Sequence, residues 1–241
     1  MAHTDLNKQM IQMPAQGRDG GSKAVVDGLS LAIHEHRLAP GTKLGEDEIG
    51  EIYGVSRTVV RAALQQLSHT QLVQIERNRG AYVAQPTLRE AREVFEARAL
   101  LEGRTACWAA ERATPRDVDR LERHIAEEHA ALDVQDMGRA LRLSGQFHIE
   151  LARIADQDTI AGFVETLIAR SSLVIALYWR RSAALCESNA HHALIQAIAA
   201  NDGPRAQEQM SSHLIDILSS LDLRDRTAPP RTLRDALLGH A

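Results

Sequence analysis

The spacing of apolar positions changes character along the chain. From residue 24 onward Val25, Val26, Leu29, Ala32 and Ile33 recur at helical spacing and define one buried face. Pro40-Gly41 ends that unit as a turn. A second, short helix is expected over 45–53. Glu46, Asp47 and Glu48 occupy its first turn, where carboxylates meet the positive end of the helix dipole, and Gly54 fits its C-terminal stop. Ser56 is then the N-cap of a third helix, with Val59, Val60, Ala63, Leu64 and Leu67 on its inner side. Two β-prone runs follow at 72–75 and 81–83, and Asn78-Arg79-Gly80 between them is a hairpin signal. Helix, helix-turn-helix and hairpin, in that order, describe a winged helix.

Residues 84–87, with Pro86, read as a linker, and beyond them the pattern is helical. Thr114-Pro115-Arg116-Asp117 combines an N-cap, a proline at the first helical position and an acid that can complete a capping box. Asp202-Gly203-Pro204 is a similar start. Helices are expected over 88–112, 115–133, 136–156, 158–181, 187–200 and 204–222, with a short one near 231–238 after Pro229-Pro230. The fold class is therefore mainly α, an N-terminal winged helix-turn-helix followed by an all-α helical bundle. Its parts are a flexible N-terminal arm (1–21), a winged-helix domain (22–85), a helical effector-binding domain (88–222) and a C-terminal tail (223–241).

Composition sharpens this picture. Hydrophobic residues make up 44% of the 241 but aromatics only 3%, which favours packed Ala- and Leu-rich helices over sheet. The net charge of −4 gives no global basic field, so a surface for nucleic acid must be local. The two cysteines, Cys107 and Cys186, lack metal-ligand spacing and read as buried thiols. No apolar run approaches the ~18 residues of a spanning helix, and no signal-peptide pattern opens the chain. A cytoplasmic protein without a membrane partner is expected.

The basic surface is indeed local. Residues 52–85 hold four arginines, Arg57, Arg61, Arg77 and Arg79, against the single acid Glu76. The compensating acids lie on the first two helices. Arg57, Thr58 and Arg61 project from one end and one face of the third helix, which suits insertion into a major groove. Arginine can bind guanine bidentately, while hydroxyls such as Ser56 and the helix N-terminus suit phosphate. The bland alternative is a solvated cationic helix end. With Arg77, Arg79 and Gly80 at a hairpin tip at the right distance, DNA is the better explanation.

Pro40-Gly41-Thr42-Lys43-Leu44, Glu46-Asp47-Glu48-Ile49, the run from Gly54 to Leu64 and Asn78-Arg79-Gly80-Ala81-Tyr82-Val83 resemble, in order and spacing, the DNA-binding domain of the GntR family of bacterial regulators. The resemblance implies a homodimer on near-palindromic, double-stranded operator DNA. There are departures. Val59 stands where the family often has Pro, Ala62 where it often has Glu, and Asp47 where some members carry a DNA-contacting Arg. His69-Thr70-Gln71 lacks the usual Gly after the reading helix, so one of these residues takes an awkward backbone or the helix ends differently.

In the C-terminal part His148 shares a stripe with Leu141, Ser144, Leu151 and Ala155, His191 with Leu194, Ile195 and Ile198, and His213 with Ala206, Met210 and Ile217. Periodicity alone leaves two readings, three unrelated core histidines or three imidazoles converging on one ion. His34, His36, His124 and His129 look like surface residues, and His192 faces away from His191. Residues 88–222 resemble the FCD ligand-binding domain of the FadR subfamily, through 96–102, 147–151, 191–198 and His213-Leu214. That resemblance implies that His148, His191 and His213 are ligands of a divalent metal such as Zn²⁺. The acidic ligand expected four residues before the first is here Ser144, so the site should be weaker and more positive, which suits an anionic effector. Arg98 is a candidate anchor for an effector carboxylate, with pairing to Glu102 at i+4 as the equal alternative. Arg180 and Arg181 read as a solvated helix end.

The expected function is a non-enzymatic transcription regulator whose operator affinity responds to a small, carboxylate-bearing metabolite, through a bound metal. One rival is a helical metal-dependent enzyme using the three histidines, which lacks a well-placed base because Glu150 points elsewhere. Another is an architectural DNA binder, which a dry apolar bundle would favour.

Overall fold

The computed structural model describes residues 18–179 and 187–223. Arg180, Arg181, Cys186, most of the expected arm and the expected tail helix lie outside them. The first helix, α1 (Arg18–His34), begins inside the last residues assigned to the arm. It packs on α2 (Glu46–Tyr53) and α3 (Arg57–His69) through Val25, Leu29, Ala32, Ile33, Ile49, Val60, Ala63, Leu64 and Leu67. Val59 and Val26 are only partly covered.

Strands β1 (Lys43–Leu44), β2 (Val73–Glu76) and β3 (Gly80–Val83) form an antiparallel sheet in the order β1-β3-β2. Val73 pairs with Val83 and Leu44 with Ala81. The sequence pattern missed β1, because two residues are too few to show a period. The missing glycine after α3 has a direct consequence: Gln71 takes the left-handed backbone, φ 59°. Ser56 sits at the N-cap of α3, yet its side chain makes no capping bond.

The helical domain comprises α4 (Leu88–Arg112), α5 (Pro115–Asp133), α6 (Met137–Ile154), α7 (Asp158–Tyr178), α8 (Glu187–Ala199) and α9 (Gly203–Ser220). Full capping boxes start α4 (Thr87 with Glu90) and α5 (Thr114 with Asp117). Asp202 accepts from the Arg205 amide to start α9. The start of α9 lies so close to α4 that a Cβ on Gly203 would stand 2.9 Å from Cys107 Sγ. Phe95, Leu121, Ile125, Phe147, Leu151 and Leu194 fill the centre of the bundle.

Helix α7 is long and apolar enough to cross a membrane by length and composition, with a mean hydropathy of 1.7, contrary to the expectation from sequence. Part of its apolar surface is spent on packing, while Phe163 remains exposed. Val174 belongs to the bundle core, while Ala169 and Leu173 enter the core of the winged helix. The same joint carries Arg142 Nε to Glu35 Oε1 at 3.1 Å, Ser172 Oγ to His36 Nε2 at 3.3 Å, and Tyr178 Oη donating to the Pro86 carbonyl at 2.9 Å. His34 and His36 are therefore partly buried between the domains and not surface residues. His124 and His129 are also half-buried, His124 Nε2 donating to the Leu143 carbonyl at 2.8 Å.

Candidate functional site

All seven residues assigned to the DNA-facing surface are exposed: Ser56, Arg57, Thr58, Arg61, Arg77, Arg79 and Gly80. Gly80 adopts φ 100° and Asn78 φ 62°, which shapes the hairpin tip. The compensating acids are closer than the sequence suggested. Arg57 Nε pairs with Asp47 of α2. Arg61 Nε lies 2.8 Å from both carboxylate oxygens of Glu46. On the wing, Arg79 pairs with Glu76 at 2.6 Å.

The three candidate metal histidines come together. His148 on α6, His191 on α8 and His213 on α9 are 2%, 0% and 3% exposed. One ligand atom from each lies within 4.8 Å of the others. His191 Nε2 and His213 Nε2 are buried without any hydrogen-bond partner. Burial works against a charged imidazole at His148 and His213. His148 is pushed down to about 4 by burial, against the pull of Glu102. His213 falls well below the ordinary range through burial and the neighbouring rings. A metal ion binds an imidazole through such an idle ring nitrogen.

Two buried carboxylates flank the rings. His191 Nδ1 donates to Glu128 Oε2 at 3.2 Å, which leaves Nε2 as the lone-pair nitrogen. His148 Nδ1 lies 2.6 Å from Glu102 Oε2, off the direction of a hydrogen bond. Glu102 is also held by Arg98, Nε to Oε1 at 2.6 Å and Nη2 to Oε2 at 3.3 Å. Burial opposes the Glu102 charge, but Arg98 and His148 outweigh it and hold the carboxyl down to about 2. Arg98 Nη1 donates to Ser171 Oγ at 3.2 Å.

Beside His148, though not His191 or His213, opens a cavity of about 300 Å³. Arg98, Ser144 and His148 line its inner end, and Ser30 and His34 of α1 line its outer wall together with Arg142. Arg98 pairs with Glu102, as one of its two readings expected, and it also lines the cavity. The bundle is not fully apolar: Arg98, Glu102, Glu128, His148, His191 and His213 are buried in it. Glu150 is tied to Arg153 at 2.7 Å and Arg120 at 3.5 Å on the outside of α6.

Sequence reasoning missed Glu128 and the outer wall. Glu128 had a legible signal, because it falls on the apolar stripe of α5 with Leu121 and Ile125. The outer wall had none, since it depends on how the two domains meet.

Comparison with known proteins agrees with these features. The model of bacterial regulatory proteins of the gntR family matches residues 22–83, and that of the FCD domain matches residues 93–216. The transcriptional repressor RspR of Escherichia coli K12 is 28% identical over 76% of this chain and 81% of its own length. The regulator LutR of Bacillus subtilis is 26% identical over 77% of this chain and 94% of its own. In the solved structures, Escherichia coli McbR/YncC has the same fold with a TM-score of 0.72 at 20% identity, over 83% of this chain and 97% of that one. A GntR-type transcriptional regulator from Rhodococcus sp. RHA1 gives 0.70 at 23% identity, over 83% and 96%. With both domains matched in order, the chain belongs to the GntR family of bacterial transcription regulators and carries an FCD domain behind its winged helix.

Proposed function

We propose that this regulator holds a divalent metal ion on His148, His191 and His213, and that a small carboxylate-bearing metabolite entering the adjacent cavity changes its affinity for operator DNA. The observation that carries this reading is the pair of buried, unpartnered Nε2 atoms on His191 and His213, both facing one cluster. Burying a polar nitrogen without a partner costs roughly 1–3 kcal/mol, and a metal would satisfy both. Zn²⁺ suits three imidazoles with one position left open. When bound, it would supply a Lewis-acidic point for an effector carboxylate. Glu128 orients His191, Glu102 abuts His148, Arg98 adds positive charge and Ser144 offers a hydroxyl.

The same cavity touches α1 of the winged helix through Ser30 and His34. An occupant therefore presses directly on the joint between sensor and reading head. In a homodimer a small rotation there changes the spacing of two reading heads relative to half-sites one helical turn apart. Arg57, Thr58 and Arg61 face base edges and phosphate from α3 with Ser56 at its start, and Arg77, Arg79 and Gly80 present the wing. The protein works in the cytoplasm on double-stranded DNA. The family and the relatives are regulators, which leaves the enzyme alternative unsupported.

The test is elemental analysis of purified protein beside a His191→Ala variant, followed by operator binding with and without a chelator. Bound metal in the parent and its loss in the variant are expected, with a chelator-dependent change in affinity. Metal-free protein whose operator affinity ignores both metal and metabolites would overturn the sensing reading.

A further inference from the structure

Three arginines of the reading surface, Arg57, Arg61 and Arg79, are not presented bare. Arg57 is 66% exposed and its partner Asp47 64%, and Arg61 is 69% exposed and its partner Glu46 31%. Pairs this exposed contribute ~0–1 kcal/mol to folding. Helix α3 is already anchored by Val60, Ala63, Leu64 and Leu67, so the fold does not depend on them. Their position has a different consequence. A carboxylate occupies the guanidinium edge that a DNA phosphate would otherwise take.

We propose that Glu46 and Asp47 act as a built-in counter-ion clamp that suppresses sequence-independent binding to DNA. This rests on the assignment of α3 as the DNA-reading helix. Non-specific binding is driven by cations that meet phosphates and release counter-ions, each contact steepening the salt dependence by ~0.9. A clamped arginine must first leave its carboxylate, and that carboxylate then faces the phosphates as a like charge. Arg57 and Arg61 thus contribute little to loose, electrostatic binding. They are committed only where a base edge offers a bidentate contact worth ~1–3 kcal/mol, more than the exposed pair. Glu76 holds Arg79 of the wing in the same way, at 2.6 Å. The ordinary explanation for acids in the first turn of α2 is complementarity to the helix dipole. Glu48 serves as its control, because it occupies the same turn, is half-buried like Glu46, and is not the partner of Arg57 or Arg61.

The experiment measures binding of the full chain to a labelled duplex of mixed sequence by fluorescence anisotropy across a salt series. Glu46→Gln, Asp47→Asn and their double variant are compared with Glu48→Gln. Each clamp variant should bind ~2- to 5-fold tighter, the double variant about 10-fold, and the salt slope should steepen by roughly 0.9 per released arginine. Glu48→Gln should change affinity by less than about 2-fold with no change of slope. Clamp variants that match Glu48→Gln, while Arg57→Ala and Arg61→Ala still weaken binding in the double-variant background, overturn the clamp alone. If those two alanine variants lose nothing in that background, the reading surface itself is misassigned and the clamp falls with it.

Discussion

Replacing Glu102 by glutamine should be among the most destabilising single changes in the helical domain. The side chains of Arg98 and Glu102 are 3% and 2% exposed, joined by contacts of 2.6 and 3.3 Å. At ~3 Å and an effective dielectric constant near 20 the pair attracts with about 5 kcal/mol. Glutamine keeps the shape but removes the charge, and it turns one donor toward the guanidinium. Arg98 would then be a buried cation with no counter-charge, held by one amide oxygen and Ser171 alone among the side chains that now bond it. Orphaning one member of a buried pair costs ~3–5 kcal/mol, a large part of the ~5–15 kcal/mol that holds a domain together. Urea unfolding of chelator-treated protein, followed by far-UV circular dichroism, measures the loss. The second arm is Arg98→Met in the Glu102→Gln background, which removes the stranded charge and should recover stability. A loss below ~1 kcal/mol for Glu102→Gln, or a double variant as unstable as the two losses added together, would refute the idea that these groups form one coupled unit.

Other expectations concern the second carboxylate and the joint. Glu128→Gln should lower zinc affinity ~10- to 100-fold by loosening the orientation of His191, measured by competition with a chromophoric chelator; unchanged affinity would show that Glu128 does not position the ring. Gly138→Ala places a Cβ about 2.6 Å from the Glu35 carbonyl, so it should cost ~1–3 kcal/mol and separate the domains locally, visible as faster amide exchange in α1. His36 is pushed down from 6.5 to about 4, by burial first and by His34, against its hydrogen bond to the Ser172 backbone. Because the folded protein disfavours its charged form, the contribution is complete above pH 6.5 and is lost as pH falls from 6.5 towards 4. Thermal melts over that window should show a shallower acid decline for His36→Gln, and identical declines would count against the joint as its source.

Much of the architecture was legible because helices announce themselves twice, by period and by caps. Thr114-Pro115 and Asp202-Gly203-Pro204 marked helix starts correctly, and the inward stripes of His148, His191 and His213 were visible one helix at a time. What periodicity does not carry is distance between elements. Nothing in the residues 46–61 says that Glu46 and Asp47 reach across to Arg61 and Arg57, because that depends on the angle between α2 and α3. His34 and His36 were misplaced for the same reason: they follow a helix face that reads as an end exposed to water until α7 covers it. Glu128 was overlooked because acids on an amphipathic helix are ordinarily solvated.

Helix α7 lends Leu173 to one hydrophobic core and Val174, the next residue, to the other. Engineers who graft foreign reading heads onto this sensor would thus be cutting through a shared foundation wall. A transplanted head will sit properly only if its own first helix offers a socket for Ala169 and Leu173, so compatible donors should be chosen by that socket before operator preference is considered.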